Sequence, residues 1–241
     1  MSIDQLRSLL SPFPANRWSR SARTVGRWTG LGASAVLSAG ILLIAPCANP
    51  AAIPSAAADP CPDVEVIFAR GTDEPPGVGR VGDAFVSALR GRTDRSVGVY
   101  AVNYPATKNI FAAADGANDA SGRVQYMAGA CPETRLVLGG YSQGAAVIDV
   151  VTAVPLAGFG FGQPLPAEFA NNVAAVAVFG NPSSKIGGPL TALSRLYGYK
   201  AIDLCNGGDP ICSDGRDVRA HSTYVQSGMA NQAANFVAGL V

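Results

Sequence analysis

The segment "GGYSQG" at residues 139–144 places Ser142 between glycines in the pattern G-x-S-x-G. A serine in this pattern can attack a carbonyl carbon when a sharp turn between a strand and a helix exposes its hydroxyl. The chain has 28 glycines, so a serine in an ordinary glycine-rich turn is the alternative. The flanking segments favour the nucleophile, because "RLVLGG" before Ser142 has the pattern of a strand and "QGAAVIDVV" after it that of a helix.

A serine nucleophile needs a base, and His221 is the only histidine of the chain. In one known arrangement an orienting carboxylate lies between the serine and the histidine. The candidates there are Asp203, Asp209, Asp214 and Asp217. We favour Asp209, because it follows a strand end and lies within "CNGGDPIC", a loop that a disulfide would make rigid. Asp203 lies inside an apolar strand, and the other two lie in a charged loop.

The N-terminal residues have the pattern of an export signal. A segment with several arginines precedes an uncharged apolar stretch over about residues 31–48, and the small-residue motif Ala56-x-Ala58 follows. We therefore expect residues 1–58 to be a cleaved signal peptide and the protein to be secreted, either extracellular or cell-wall associated. A retained membrane anchor is the alternative, although glycines, serines and a proline interrupt the apolar stretch.

The remaining residues, 59–241, have a length that suits a single domain. The whole chain has 18 Lys and Arg against 17 Asp and Glu, and residues 1–58 hold five Arg and one Asp. The remainder therefore has 13 basic and 16 acidic residues, a net charge of −3. It carries no basic patch or run of like charges, so we expect no binding to nucleic acid.

Four cysteines fall within residues 59–241: Cys61, Cys131, Cys205 and Cys212. In an exported chain, disulfides are expected. Three pairings are possible, and the short spacer in "CNGGDPIC" favours Cys205–Cys212, which leaves Cys61–Cys131. A zinc site is disfavoured because there is one histidine and neither cysteine pair has C-x₂-C spacing. We expect no metal.

From residue 64 onwards, strand-like and helix-like segments alternate. The strand-like runs are mainly apolar, as in strands buried on both faces: "VEVIFA", "VGVYAVNY", "RLVLGG", "VAAVAVFG" and "KAIDLC". Helical patterns lie at 81–90, at about 117–129 and at 143–154. The alternation predicts an α/β fold with a central, mostly parallel sheet between two helical layers, and functional groups at the carboxyl ends of strands. An α/β domain of no assignable function is the other interpretation.

Residues 154–168, "VPLAGFGFGQPLPAE", interrupt this alternation and indicate a loop. The loop is either a surface excursion or an apolar flap, in which Phe159 and Phe161 border the entrance to the site. The chain has no room for a separate lid domain, so we expect substrate to reach Ser142 without a large closure.

Four segments together resemble the signatures of the cutinase family. They are "ARGTDEPPGVG" at 69–79, "GGYSQGAA" at 139–146, "CNGGDPIC" at 205–212 and "AHSTY" at 220–224, in the family's order and at similar spacing. The resemblance covers essentially all of residues 59–241. It implies an α/β-hydrolase-type three-layer sandwich without a lid domain, and the same two disulfides. The 154–168 loop is similar to that of secreted bacterial cutinase-like proteins, since it is longer and more apolar than in compact fungal cutinases.

The resemblance also implies roles for five residues. Ser142, Asp209 and His221 match the family's catalytic triad. The oxyanion hole would consist of the backbone N–H of Thr72 and that of Gln143, the residue after the nucleophile. Many cutinases have serine where Thr72 stands, and threonine keeps the hydroxyl that also donates to the oxyanion.

We therefore expect a secreted serine esterase that hydrolyses carboxylic esters through an acyl-enzyme, with no cofactor. Its substrates would be lipid or polyester-type esters with short or medium acyl chains, and it would be a monomer that contacts lipid surfaces peripherally. One alternative is an acetyl ester hydrolase acting on acetylated polysaccharide. Both tryptophans lie in residues 1–58, which disfavours a sugar-binding site. The other alternative is a non-catalytic secreted lipid-binding module.

Overall fold

The computed structural model describes residues 61–109, 111–153 and 164–241. The signal peptide expected over 1–58 and the two phenylalanines expected at the entrance, Phe159 and Phe161, lie outside the described residues. Of the expected loop, residues 164–168 are described, and their last two begin a short 3₁₀ helix, Ala167–Asn171. Among the described residues, no helix combines the length and the apolar character needed to cross a bilayer.

Five strands of the described residues form one parallel sheet in the order β2–β1–β3–β4–β5. Their bounds are β1 Val64–Ala69, β2 Val97–Ala101, β3 Arg135–Tyr141, β4 Val173–Phe179 and β5 Ala201–Leu204. All five correspond to predicted runs. The three central strands, β1, β3 and β4, are buried almost throughout, because helices cover both faces of the sheet.

The helices of the described residues form the outer two layers. They are α1 Gly79–Arg90, α2 Ala112–Ala130, α3 Gln143–Thr152, α4 Ser183–Ile186, α5 Leu190–Leu193 and α6 Met229–Ala238. Helices α1 and α6 pack together on one face of the sheet, and α2 and α3 pack together on the other. This arrangement confirms the predicted three-layer α/β-hydrolase-type fold. Helices α1 to α3 correspond to predicted helical patterns, whereas α6, whose buried face consists mainly of alanines, was not predicted.

Alternate strand residues divide between the two apolar cores. Ile67 and Leu138 lie in the core under α2 and α3. Phe68 and Phe179 lie in the core under α1 and α6, with ring centroids 6.3 Å apart. Each fully buried side chain of this size stabilises the fold by roughly 1.5–3 kcal/mol relative to leaving it exposed. The two cores therefore fix the sheet from which the functional loops project.

The strand order changes direction beside β1. The chain passes from β1 outwards to β2 and then returns to β3 on the other side of β1. In open α/β sheets, ligands bind at the carboxyl ends of the strands where this reversal occurs. The loop after β1 carries Thr72, and the turn after β3 carries Ser142, so two of the predicted site residues flank this point.

Both predicted disulfides are present. Cys61–Cys131 joins the residues before β1 to the end of α2, with Cα atoms 5.6 Å apart. Cys205–Cys212 closes the loop after β5, with Cα atoms 5.8 Å apart. Both distances lie near the value of about 5.5–6 Å that is commonest for disulfides.

Candidate active site

Ser142 forms the sharp turn between β3 and α3. Its φ of 55° and ψ of −117° lie in a region that side chains other than glycine rarely adopt. Such strain costs on the order of 1–3 kcal/mol and persists only where neighbouring structure enforces it. A Cβ atom at Gly144 would lie only 1.9 Å from the carbonyl oxygen of Ala69. Gly144 therefore lets α3 begin directly against the end of β1, as the predicted nucleophile turn requires.

His221 lies in a short 3₁₀ turn, Ala220–Ser222, next to Ser142. Its Nε2 is 2.9 Å from Ser142 Oγ, and its Nδ1 is 2.7 Å from Asp209 Oδ2. The imidazole ring stacks on Tyr141, with centroids 5.1 Å apart, and the Tyr141 hydroxyl donates to the His221 carbonyl oxygen. With its proton on Nδ1, the imidazole donates to the carboxylate and leaves Nε2 free to accept the serine hydroxyl proton.

Asp209 is fully buried at the centre of the loop that Cys205–Cys212 closes. Its Oδ1 accepts a hydrogen bond of 2.8 Å from the Ile211 backbone N–H. Its Oδ2 faces His221 Nδ1 and also accepts a hydrogen bond of 2.7 Å from the Tyr224 hydroxyl. A buried carboxylate needs such donors to remain charged, so the loop supplies both the position and the environment of an orienting acid.

The structure places the other three candidate acids away from the imidazole. Asp203 Oδ2 accepts hydrogen bonds from Asn181 Nδ2 at 3.0 Å and from the Leu190 N–H at 2.8 Å. Asp214 is exposed, and Asp217 is exposed and accepts from the Arg219 N–H at 2.9 Å. Of the four, only Asp209 has a described contact with His221.

Thr72 and Gln143 lie close to each other across the switch point, because the Thr72 hydroxyl is 3.4 Å from Gln143 Oε1. Gln143 Nε2 donates to the Thr107 carbonyl oxygen at 2.8 Å, so this side chain is bonded to the loop after β2. Neither backbone N–H, of Thr72 or of Gln143, donates to any described residue. The Gln143 N–H also stands at the N-terminus of α3, where the helix dipole favours negative charge.

Two residues that the sequence motifs did not assign to the site, Arg70 and Glu74, brace the loop after β1. The Glu74 carboxylate accepts hydrogen bonds from the Gly71 N–H at 2.7 Å and the Arg80 N–H at 3.0 Å. The buried Arg70 guanidinium donates to the Glu74 carbonyl oxygen at 2.9 Å and to the Tyr104 carbonyl oxygen at 2.8 Å. Both Arg70 and Glu74 belong to the motif "RGTDE" at residues 70–74, so the sequence could have indicated them. These bonds fix the backbone at Thr72 before any substrate arrives, as an oxyanion site requires.

A buried polar network lies behind the nucleophile turn. One amide, Asn181 Nδ2, donates both to Asp149 Oδ1 of α3 at 3.1 Å and to Asp203 Oδ2 of β5 at 3.0 Å. Burial raises the pKa of Asp149 to about 7 and also raises the pKa of Asp203. Within the described part of the chain, no group of three His, Cys, Asp or Glu side chains could hold a metal ion.

Comparisons with known proteins agree with this fold. The Cutinase family model matches residues 60–241. Phospholipase Culp4 of Mycobacterium tuberculosis is 58% identical over 227 residues, which cover 94% of this chain and 96% of that protein. Probable carboxylesterase Culp3 of the same organism is 56% identical over 216 residues, which cover 89% and 81%. A solved structure of Trichoderma reesei cutinase with a phosphonate inhibitor is 35% identical, with a TM-score of 0.60 over 76% of this chain and 78% of that one. The chain belongs to the cutinase family.

Proposed function

We propose that this protein is a secreted serine esterase that hydrolyses carboxylic esters through a covalent acyl-enzyme on Ser142. The observation that carries the proposal is the continuous chain of hydrogen bonds from Ser142 Oγ through His221 to Asp209, with distances of 2.9 and 2.7 Å. A nucleophile, a base within hydrogen-bond reach and a group that orients the base together define this class of site. Membership of the cutinase family, whose members are carboxylic ester hydrolases, supports the same reaction.

In the first half of the reaction, Ser142 Oγ attacks the ester carbonyl carbon while its proton passes to His221 Nε2. The carbonyl oxygen becomes an oxyanion, which accepts hydrogen bonds from the backbone N–H groups of Thr72 and Gln143. Asp209 stays ionised and stabilises the imidazolium. The bond to the leaving oxygen then breaks, His221 returns the proton to that oxygen, and the alcohol departs, leaving the acyl-enzyme.

In the second half, a water molecule replaces the alcohol. His221 Nε2 takes a proton from the water as its oxygen attacks the acyl carbon, and the same N–H groups hold the second oxyanion. When the bond to Ser142 Oγ breaks, His221 gives the proton back to the serine. Ester and water are thus converted to acid and alcohol, and no group beyond these side chains and N–H donors takes part.

Exposed apolar side chains in the segments that follow β4 and β5 support esters of lipid or aliphatic type as substrates. Ile186, the last residue of α4, is 88% exposed, Val218 is 73% exposed and Ile211 is 39% exposed. Lys185 Nζ donates to the Pro210 carbonyl oxygen at 3.3 Å, so the two segments are in contact. Apolar residues beside a site suit peripheral contact with a lipid surface. The names of the phospholipase and carboxylesterase relatives point in the same direction.

Export and domain organisation remain part of the proposal. The two disulfides suit an oxidising compartment, and the pattern of residues 1–58 suits a cleaved signal peptide. We propose that residues 59–241 act as one secreted domain and as a monomer, with Phe159 and Phe161 beside the entrance to the site.

Labelling with a fluorophosphonate tests the proposal directly. We expect the reagent to modify Ser142 alone, and Ser142→Ala to remain folded, to lose the label and to lower kcat for p-nitrophenyl butyrate by about 10⁶. Ser87→Ala, on the exposed side of α1, is the matched control and should label and react as the wild type does. Label on another residue, or more than about a tenth of the activity in Ser142→Ala, would contradict the assignment. Vesicle binding without labelling would instead identify a lipid-binding module.

A series of p-nitrophenyl esters from acetate to decanoate separates the two esterase hypotheses. A site for aliphatic esters gains roughly 0.8 kcal/mol for each methylene that it buries. We therefore expect kcat/KM to rise from acetate to the medium chains. A steady fall from acetate onwards would favour the acetyl ester hydrolase.

A further inference from the structure

Tyr224 contacts the site from within the fold and has no role in the reaction derived above. The side chain is fully buried, 0% exposed, and its ring packs edge-on against His221 and Phe179, with centroids 6.3 and 6.2 Å away. Its hydroxyl is 2.7 Å from Asp209 Oδ2, the same oxygen that faces His221 Nδ1. One carboxylate oxygen therefore serves both the imidazole and the phenol.

The neighbours of this hydroxyl determine the direction of its hydrogen bond. The Asn206 backbone N–H donates to the hydroxyl oxygen at 3.1 Å. Cys212 Sγ lies 3.3 Å away, but this sulfur belongs to a disulfide and carries no hydrogen. Asp209, as a carboxylate, can only accept. The hydroxyl hydrogen therefore points at Asp209, and the oxygen accepts from the backbone of the loop closed by the disulfide.

We propose that Tyr224 is a positioning residue of the esterase site, whose hydroxyl holds Asp209 Oδ2 in line with His221 Nδ1 and offsets part of the carboxylate charge. It also braces the Cys205–Cys212 loop, because it bonds to both Asn206 and Asp209 of that loop. The inference rests on the proposed function, since it assigns a role within the same reaction.

Removing this donor has two physical consequences. Asp209 Oδ2 loses one of its fixed partners, so the carboxylate is held less firmly in line with the imidazole. While it still faces the imidazole, its oxygen becomes a stronger acceptor and favours the protonated ring, which is inactive as a base. We therefore expect kcat to fall and the acidic limb of the kcat/KM profile to move to higher pH. A hydrogen bond to a charged group has the strength to change kcat by about 10- to 100-fold.

The two phenols that contact the pair, Tyr141 and Tyr224, stay neutral over the pH range of such a profile. Burial raises the pKa of Tyr141, at the end of β3, to about 12, and the Glu74 carboxylate adds to this while Arg80 opposes it. Burial, followed by the hydrogen bond to Asp209, raises the pKa of Tyr224. Both phenols therefore stay protonated between about pH 5 and 9, so neither contributes to a shift of the limb. Burial raises the pKa of Asp149 to about 7, but this carboxyl is bonded to Asn181 and is the same in both variants.

The test compares Tyr224→Phe with Tyr197→Phe. Tyr197 is equally buried, 1% exposed, and its hydroxyl has no hydrogen-bond partner among the described residues, so it controls for loss of a buried hydroxyl. For p-nitrophenyl butyrate, we expect Tyr224→Phe to lower kcat 10- to 100-fold with KM within about twofold of the wild type. Its acidic limb should move to higher pH, and Tyr197→Phe should change neither. A kcat within twofold of the wild type with an unmoved limb would overturn the proposal, as would equal losses in the two variants.

Two further measurements test the role of the Tyr224 hydroxyl. Placing 3-fluorotyrosine at position 224 preserves the shape of the side chain and makes its hydroxyl a stronger donor, so the acidic limb of the kcat/KM profile should move to lower pH. A limb that stays in place or moves to higher pH would refute the role, even if Tyr224→Phe does not fold. His221 is the only histidine, so its ring N–H gives one assignable proton resonance, which should move downfield in folded Tyr224→Phe and stay in place in Tyr197→Phe. Absence of fluorophosphonate labelling in the wild type would instead refute the proposed function itself.

Discussion

Replacing Asp149 with Asn should change how the stability of the protein depends on pH. Asp149 lies in α3, seven residues after Ser142, and is 5% exposed. Burial raises its pKa from 3.8 to about 7, and the nearby Asp203 carboxylate contributes to this, while the hydrogen bond from Asn181 opposes it. An asparagine has the same shape and can still accept the Asn181 hydrogen bond, so the substitution removes the charge with little change in packing.

The sign follows from which state of the protein binds more protons. Below about pH 4, the carboxyl is protonated in both the folded and the unfolded chain. Between 3.8 and about 7, the unfolded chain has released the proton and the folded chain retains it, so the free energy of unfolding falls as pH rises, by about 1.4 kcal/mol per pH unit. The loss is complete above about pH 7 and amounts to on the order of 4 kcal/mol.

Urea unfolding between pH 4 and 8 measures this contribution. The free energy of unfolding of Asp149→Asn, minus that of the wild type, should grow by on the order of 4 kcal/mol over this range. Asp83→Asn, on the exposed side of α1, removes the same charge and should leave the difference almost constant. If the curves of Asp149→Asn and wild type run parallel, the carboxyl does not titrate as its burial requires, and the reasoning fails.

Three further predictions concern the site. Asp209→Asn should lower kcat by about 10⁴, because it favours the wrong imidazole tautomer, whereas Asp214→Asn should change kcat less than twofold. Steady-state kinetics on folded protein measures both effects, and a larger loss in Asp214→Asn would assign the orienting role to Asp214. Reducing the Cys205–Cys212 disulfide should inactivate the enzyme, because this bond closes the loop that holds the acid; full activity after reduction, verified by thiol alkylation, would contradict this. Phe159→Ala or Phe161→Ala should alter chain-length preference on p-nitrophenyl esters more than kcat on acetate. Unchanged preference in both variants would make their loop a surface excursion.

The strands could be predicted because each is a short run rich in apolar residues, and the three central runs are of the kind that a sheet covered on both faces buries. β1 matches its predicted bounds, and β4 differs only at its last residue. β2 is shorter than predicted and ends at Ala101. The chain then turns away into a loop, where the Tyr104 carbonyl oxygen accepts a hydrogen bond from Arg70. Helix α6 was not predicted, since alanines on a buried face give little contrast with their neighbours. Packing against α1 supplies what the pattern lacks.

The amino-acid sequence alone shows which residue types are available for the chemistry. It contained one serine in a nucleophile pattern, one histidine, and four acids near that histidine, and the motifs ordered them along the chain. Such information is local, because motifs and periodicity reflect the backbone over a few residues.

Which of these groups meet depends on the tertiary fold, because the distances between them depend on how separate strands end at one edge of the sheet. It brought Asp209 and not Asp203 to the imidazole, although Asp203 lies only six residues earlier. It also places the Tyr224 hydroxyl against the Asp209 carboxylate. In addition, the Asn181 amide bonds to both Asp149 and Asp203. Hydrogen bonds between residues far apart in the chain form only after the cores of the fold have fixed the strands, so no local pattern could contain them.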